Sequence, residues 1–163
     1  MKSRLYNHQF NHSFRKYCKM KFTTKSRYAL DALIDLYSRT SLEPVKISEI
    51  AVNQSIEMNY LEQLFRKLRI AGLVRSSRGR NGGYVLAMDA SLISVKDVMF
   101  AVEEDLDATK CSGSSNCQQG KKCPTHNLWE DLNRVVGDYL SKITLDTLVE
   151  DSNNHYIKSI NIN

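Results

Sequence analysis

Three cysteines and a histidine lie close together in the stretch CSGSSNCQQGKKCPTH, residues 111–126, of a chain that has four cysteines in all. Their spacing is C-x5-C-x5-C-x2-H. Thiolate sulfur and neutral imidazole nitrogen are common protein ligands of zinc and of the iron in iron-sulfur clusters. The sequence therefore predicts a metal centre formed by Cys111, Cys117, Cys123 and His126.

The spacing alone leaves the identity of the metal open. Zinc accepts a set of three cysteines and one histidine, but structural zinc sites usually contain a close C-x2–4-C pair, which this stretch lacks. Five-residue gaps suit a wider cluster in which sulfide bridges two irons. Redox-active or unliganded thiols are the third alternative. A disulfide framework does not fit, because three clustered cysteines cannot all pair with one another.

The residues around the cysteines also predict a local structure. Proline is common at the first position of a helix, so Pro124 predicts that Cys123 caps a helix and that His126 follows on the same face. Gly113 and Gly120 are expected to let backbone amides turn toward the sulfur atoms.

Length and composition indicate one ordinary domain with a small appendage. The chain has 163 residues, of which 42% are hydrophobic and 25% are charged. No stretch approaches the roughly 20 apolar residues of a membrane span. The first 20 residues lack the apolar core of a secretory signal. These features predict a cytoplasmic protein that does not bind a membrane.

Positive charge is concentrated between residues 65 and 80, where no acidic residue occurs. The basic residues there are Arg66, Lys67, Arg69, Arg75, Arg78 and Arg80. The net charge of the whole chain is only +5. A local basic stripe on such a chain favours a polyanionic partner such as double-stranded DNA.

The stripe coincides with a predicted helix-turn-helix. Ser48 is expected to cap a short helix, and a further helix is expected to begin at Asn59 and end before Gly72. The apolar residues of that helix follow the i, i+3, i+4, i+7 pattern at Leu61, Leu64, Phe65 and Leu68. Asn59 and Glu62 also match a capping box, in which Glu62 would bond back to the Asn59 amide.

A glycine-rich hairpin follows in LVRSSRGRNGGYVLAM, residues 73–88. It lacks the G-x-x-x-x-G-K-[ST] pattern of a nucleotide-binding loop, so we interpret it as the wing of a winged helix. Ser94 and Asp97 then predict a capped helix. The fold class is predicted to be mainly α with a small β-hairpin: a winged helix-turn-helix domain plus a long dimerisation helix.

The C-terminal part carries an apolar stripe that predicts a homodimer. Its members are Leu128, Leu132, Val135, Tyr139 and Ile143. The expected organisation is a disordered basic extension at 1–19 with Met20 as an alternative start, a winged helix-turn-helix domain at 20–102, a loop with the candidate metal ligands at 103–126, a dimerisation helix and short terminal helix at 124–150, and a polar tail at 151–163.

From Met20 to about Glu150 the chain resembles the IscR-type iron-sulfur cluster regulators, dimeric winged-helix transcription factors of bacteria. The stretches that carry the resemblance are TTKSRYAL, YLEQLFRKLRIAGLVRSSRGRNGGYVL, DATKC and CPTHNLWEDL. The resemblance implies a [2Fe-2S] cluster on Cys111, Cys117, Cys123 and His126, with a cluster-assembly scaffold as its donor.

The resemblance also implies DNA contacts. Glu62 is the candidate discriminator between operators, Gln63 the candidate base reader and Arg78 the wing contact. The full set of candidate DNA-binding residues is Asn59, Tyr60, Glu62, Gln63, Arg66, Arg78 and Arg80. The implied function is that of a non-enzymatic regulator that represses, and at some sites activates, genes of iron-sulfur cluster assembly. The alternatives are a DNA-binding protein with a purely structural zinc ion and a [2Fe-2S] electron carrier.

Overall fold

The computed structural model describes residues 23–39, 43–79, 81–109 and 111–151. The predicted extension at 1–19, residues 152–163 of the predicted tail, and Arg80 lie outside this part of the chain. The helices are α1 (Thr24–Ser38), α2 (Ile47–Gln54), α3 (Met58–Ile70), α4 (Val95–Ala101) and α5 (His126–Ser141), and the strands are β1 (Val74–Ser77) and β2 (Gly83–Leu86). Residues 145–151 form a last short helix. The predicted fold class, mainly α with a small β-hairpin and a long C-terminal helix, is confirmed.

The core is built around α1, which contacts α2, α3, α4 and β2. As the apolar spacing predicts, α3 buries Leu61, Leu64, Phe65 and Leu68. The ring of Phe65 meets that of Tyr84 edge-on, with the centroids 4.8 Å apart. Because this face of α3 is buried, its polar face is directed to solvent. No helix in the described part of the chain is long and apolar enough to cross a membrane.

The predicted starts of α2 and α3 are wrong. Helix α2 is preceded by Lys46 rather than by Ser48, which is exposed inside its first turn. Helix α3 is capped by Glu57, whose carboxylate accepts hydrogen bonds from the amides of Asn59 at 3.0 Å and Tyr60 at 2.8 Å. Glu62 therefore lies beyond the first turn, and the predicted capping box between Asn59 and Glu62 is wrong.

The start of α4 agrees with the prediction. Ser94 accepts a hydrogen bond from the Asp97 amide, and the Asp97 side chain accepts one from the Ser94 amide, which completes a capping box. The segment that follows α5 is hydrogen-bonded to the start of α4. The Val95 amide donates to the Ile143 carbonyl at 2.8 Å, and the Leu145 amide donates to the Ile93 carbonyl at 3.0 Å. This pairing anchors the C-terminal end of α5 on the winged-helix domain.

The predicted wing is an antiparallel hairpin in which Val74 pairs with Leu86 and Ser77 with Gly83. Val45 extends it, since its backbone exchanges hydrogen bonds of 2.9 and 2.8 Å with Tyr84. A Cβ atom at Gly83 would lie 2.4 Å from the Val45 carbonyl oxygen. Glycine is therefore required at this position for the wing to lie against the helical core.

Candidate metal centre and nucleic-acid interface

His126 is the centre of the predicted metal site. It is the first residue of α5 and only 1% exposed, whereas an isolated histidine of this kind would be expected at the surface. Its Nδ1 atom lies 3.5 Å from Cys111 Sγ and 3.4 Å from Cys117 Sγ. These three potential ligand atoms all lie within 4.8 Å of one another. The structure therefore brings together three of the four predicted ligands.

Cys123 flanks this group without being part of it. The helix begins at His126 with Thr125 at the cap position, so the prediction that Cys123 caps the helix and shares a face with His126 is wrong. Pro124 and Thr125 instead form a turn, in which the His126 amide donates to the Cys123 carbonyl at 3.1 Å. The Cys123 amide donates to Cys117 Sγ at 3.4 Å, which keeps the fourth predicted ligand beside the other three.

The second nitrogen of His126 also has partners. Its Nε2 atom lies 3.2 Å from Ser115 Oγ and 3.9 Å from Glu130 Oε2, one helical turn further on. With the proton on Nε2, the Ser115 hydroxyl acts as the acceptor, the Glu130 carboxylate is a negative charge nearby, and the lone pair of Nδ1 faces the two sulfur atoms. Such partners commonly fix the orientation and tautomer of a metal-binding histidine.

The loop is held by turns, and backbone amides reach its sulfur atoms: the Ser115 backbone hydrogen-bonds Cys111, and the Cys123 amide donates to Cys117 Sγ at 3.4 Å. The Gly113 amide itself donates to Thr109 Oγ1 at 2.9 Å, and Gly113 and Gly120 adopt positive φ values of 75° and 81°, which agrees with their predicted role in turning the loop backbone. The Ser114 amide donates to the Cys111 carbonyl, and residues 118 and 121 form a small antiparallel bridge. Ser115 has a φ of 58°, in the left-handed region. The loop thus has a defined backbone of its own.

Hydrogen bonds set the acidity of the three thiols. Partial burial raises the pKa of Cys111, but hydrogen bonds from Cys117 and the Ser115 backbone outweigh it, so that pKa is lowered. Hydrogen bonds from Cys117 and Thr125 lower the pKa of Cys123. The Cys123 amide lowers the pKa of Cys117, whereas the hydrogen bond with the Cys123 thiol, partial burial and the hydrogen bond with Cys111 together raise it more. Since metals bind thiolates, the lowered pKa values of Cys111 and Cys123 favour metal binding.

A cleft of about 440 Å³ opens onto this site. Cys117, Cys123 and His126 line it together with Trp129 of α5. The Trp129 indole donates to Thr125 Oγ1 at 3.3 Å, and Thr125 Oγ1 lies 3.7 Å from Cys123 Sγ. The ligand group is therefore reachable from solvent on the side where Trp129 lies.

A second candidate site is the exposed face of α3. Asn59, Glu62, Gln63 and Arg66 are all exposed there, where they could meet base edges and phosphates. Tyr60 is different: its ring is half-buried and meets Tyr28 edge-on at a centroid distance of 6.0 Å. Tyr60 therefore helps to seat α3 on α1, and its prediction as a DNA contact remains untested.

The basic stripe is less uniform in the structure than in the sequence. Lys67 is half-buried and donates to Glu103 at 2.6 Å, so its charge is already paired within the protein. Arg78 is exposed in the loop between the strands of the wing. Arg80, its predicted companion, lies outside the described residues. Arg66 and Arg78 are thus the described basic residues that best fit the predicted contacts.

Sequence reasoning missed several residues that support these sites. Glu130 follows His126 by four residues, and this i, i+4 spacing could have identified it. Ser115 and Thr109 gave no such signal, because their hydrogen bonds depend on the path of the loop. Glu57 was missed because Asn59 is the more usual cap residue.

Residues 22–151 match the Rrf2 family, described as iron-dependent transcriptional regulators. The HTH-type transcriptional regulator IscR of Vibrio vulnificus strain YJ016 is 49% identical over 133 residues, which cover 82% of this chain and 79% of that protein.

Solved structures show the same fold. The global cysteine regulator CymR of B. subtilis superposes with a TM-score of 0.68 at 30% identity, covering 81% of this chain and 98% of that one. IscR of T. potens superposes with a TM-score of 0.66 at 32% identity, covering 82% of this chain and 88% of that one. These relatives are winged-helix regulators of transcription.

Proposed function

Because the chain belongs to the Rrf2 family of iron-dependent transcriptional regulators, we propose that it is a DNA-binding transcription factor that senses iron-sulfur cluster status. The observation that carries the proposal is the buried imidazole of His126, whose Nδ1 faces Cys111 and Cys117 at 3.5 and 3.4 Å. Sulfur and imidazole are ligands that suit iron-sulfur clusters. The same chain carries α3, whose exposed polar face makes it the candidate recognition helix.

Cys111, Cys117, Cys123 and His126 would hold a [2Fe-2S] cluster. The donor set fits such a group, since Cys111, Cys117 and His126 lie together and the Cys123 amide donates to Cys117 Sγ. The lowered pKa values of Cys111 and Cys123 favour the thiolate form that metals bind. When bound, the cluster supplies a group whose presence depends on the supply of iron and sulfide. A cluster-assembly scaffold is the expected donor.

The DNA-binding surface would consist of α3 and the wing. Gln63 and Arg66 are exposed where base edges would lie, and Arg78 is exposed where the wing would meet the phosphate backbone. Glu62 would discriminate between operators, because a carboxylate accepts a hydrogen bond from the cytosine amino group and is unfavourable near acceptors and phosphates.

The proposed active form is a homodimer. Leu128, Leu132, Val135 and Tyr139 of α5 are exposed in the single chain, and an apolar face of this length suits pairing with a second helix. Two recognition helices would then read two half-sites. In this form the protein would repress, and at some sites activate, genes of cluster assembly in the cytoplasm, without catalysing a reaction.

The compactness of the ligand group favours one alternative. Three ligand atoms within 4.8 Å of one another would also suit a single zinc ion with a structural role. A third interpretation, an electron carrier, predicts electron transfer to a partner and no affinity for DNA.

Anaerobic purification followed by metal and sulfide analysis separates these interpretations. We expect two irons and two sulfides per chain with visible charge-transfer absorption. The matched control is Cys111→Ala, which should lose that absorption. A colourless protein that contains one zinc ion per chain would reject the iron-sulfur cluster in favour of the structural zinc site. DNA titration of the same preparation should show specific binding, and its absence would reject the regulator in favour of the carrier.

A further inference from the structure

Residues 103–109, which we call the connecting segment, join α4 to the ligand loop and are anchored at their start to the DNA-binding domain. The Lys67 ammonium on α3 donates to Glu103 Oε2 at 2.6 Å. The next residue, Glu104, accepts hydrogen bonds from the Thr23 amide at 3.1 Å and from the hydroxyls of Thr23 and Ser26 at the start of α1. Glu103 has a φ of 58°, so the backbone turns sharply there.

The other end of the connecting segment is anchored to the metal centre. Asn133 of α5 uses both halves of its amide: Nδ2 donates to Asp107 Oδ1 at 2.6 Å, and Oδ1 accepts from the Ala108 amide at 2.8 Å. Thr109 Oγ1 accepts from the Gly113 amide in the ligand loop at 2.9 Å. Asn133 follows His126 by seven residues, so both side chains lie on the same side of α5, two turns apart.

We infer that Glu103 and Asn133 are positioning residues that couple ligand binding at the metal centre to the presentation of the recognition helix. This inference rests on the proposed function. When Cys111, Cys117 and His126 share one bound group, the loop and the first turn of α5 are held together. The hydrogen bonds of Asn133 with Asp107 and Ala108, and that of Thr109 with Gly113, then hold the C-terminal end of the connecting segment. The ion pair between Glu103 and Lys67 holds its N-terminal end on α3. When the ligands separate, both contacts can rearrange.

The coupling is carried by this short segment because its side chains hold both sites directly. Coupling between distant sites requires a physical element that both of them bias. Here one end of a seven-residue segment contacts α3 and the other contacts α5 and the ligand loop. A defect at either end should therefore disconnect the sites without removing a metal ligand or a base-reading residue.

The test compares Glu103→Gln and Asn133→Ala with the wild-type protein. A DNA duplex is first selected with cluster-loaded wild-type protein, and its Kd is measured for each protein before and after the cluster is removed with an iron chelator. Allosteric coupling typically changes affinity about 5- to 150-fold, so the wild-type Kd ratio should lie in that range. Both variants should keep their iron and sulfide content and melting temperature, while their ratios fall to about 1.

Asp131→Asn is the matched control, because it also removes one acidic side chain, and it breaks an ion pair with Arg134 that lies within α5. It should keep the wild-type ratio. The Kd ratio of the double variant should equal that of either single variant, because the two contacts act in series. A merely structural role would lower both affinities and leave their ratio unchanged.

Three outcomes would overturn the inference. A loaded Glu103→Gln protein with the full wild-type ratio would show that the Lys67 contact transmits nothing. Single variants that keep intermediate Kd ratios, with a lower ratio in the double variant, would show that the two contacts act independently. A wild-type ratio of 1 would reject the proposed sensing function and the inference with it, whereas a high wild-type ratio kept by the variants rejects the inference alone.

Discussion

His126 shows what a residue type can and cannot predict. Its place beside three cysteines identified it as a ligand candidate, and the structure places its Nδ1 between two of their sulfur atoms. Its burial and its Nε2 partners, Ser115 and Glu130, depend on how the loop folds over the start of α5. Spacing alone therefore predicted the chemistry of the ligands and not the supporting contacts.

The two glutamates of the recognition region have different roles. Glu57 caps α3 through two amide hydrogen bonds, and we expect Glu57→Ala to lower the free energy of unfolding by about 1 kcal/mol. Urea unfolding measures this difference. Glu62→Ala is the matched control and should change stability by less than about 0.5 kcal/mol. Equal losses in the two variants would contradict the cap assignment.

Glu62→Ala should instead alter DNA choice. Because the carboxylate is exposed on α3 and makes no cap, its removal should relax sequence selection while affinity for the best operator is kept. Selection from a random duplex library measures this. As a comparison, Arg78→Ala should weaken binding to all operators and reduce the salt slope by about 0.9. An unchanged consensus for Glu62→Ala would rule out its role as discriminator.

At the scale of elements, the apolar patterns were reliable and the caps were not. The buried face of α3, the wing and the capped start of α4 follow from the sequence. The starts of α2, α3 and α5 did not follow from Ser48, Asn59 or Cys123, because several polar residues lie near each helix start and more than one of them is a reasonable cap. Loop geometry of this kind depends on tertiary contacts that have no local pattern.

The hydrogen bonds of Glu104 with the start of α1 should make the free energy of unfolding depend on pH. Burial raises the pKa of Glu104, but hydrogen bonds from Ser26 and Thr23 lower it more, so the pKa lies below its ordinary value of 4.5. The stabilisation is therefore present above pH 4.5 and is lost as the pH falls through the lower folded-state pKa.

Glu104→Gln tests this pH dependence. In urea unfolding the variant should be less stable than the wild type at pH 7, and the difference should shrink as the pH is lowered from about 5 to about 3. A difference that stays constant over this range would mean that the Glu104 charge does not contribute.

The exposed face of α5 leads to a prediction about assembly. Val135 is 58% exposed in the single chain, so Val135→Asp should leave the fold intact while placing a charge in the proposed dimer interface. Analytical ultracentrifugation should show a dimer for the wild type and a monomer for the variant. Val52→Asp, a change at an exposed position on α2, should remain dimeric. A monomeric wild type would reject the interface.

For the whole molecule, the candidate metal centre and the recognition helix α3 lie in one chain and are joined by the connecting segment. Its contacts with Lys67 and Asn133 link sequence positions that are far apart. No local pattern predicts such contacts, because they form only after the helices have packed. The two sites were thus predictable separately, and their connection was not.

The central claim is that ligand occupancy at Cys111, Cys117, Cys123 and His126 changes which DNA the protein binds. The most direct test selects duplexes from one random library with two proteins: the anaerobically purified, loaded wild type and a variant with all four ligands replaced by alanine. We expect two different consensus sequences at equal protein concentration. One identical consensus, bound with the same affinity by both proteins, would contradict the claim.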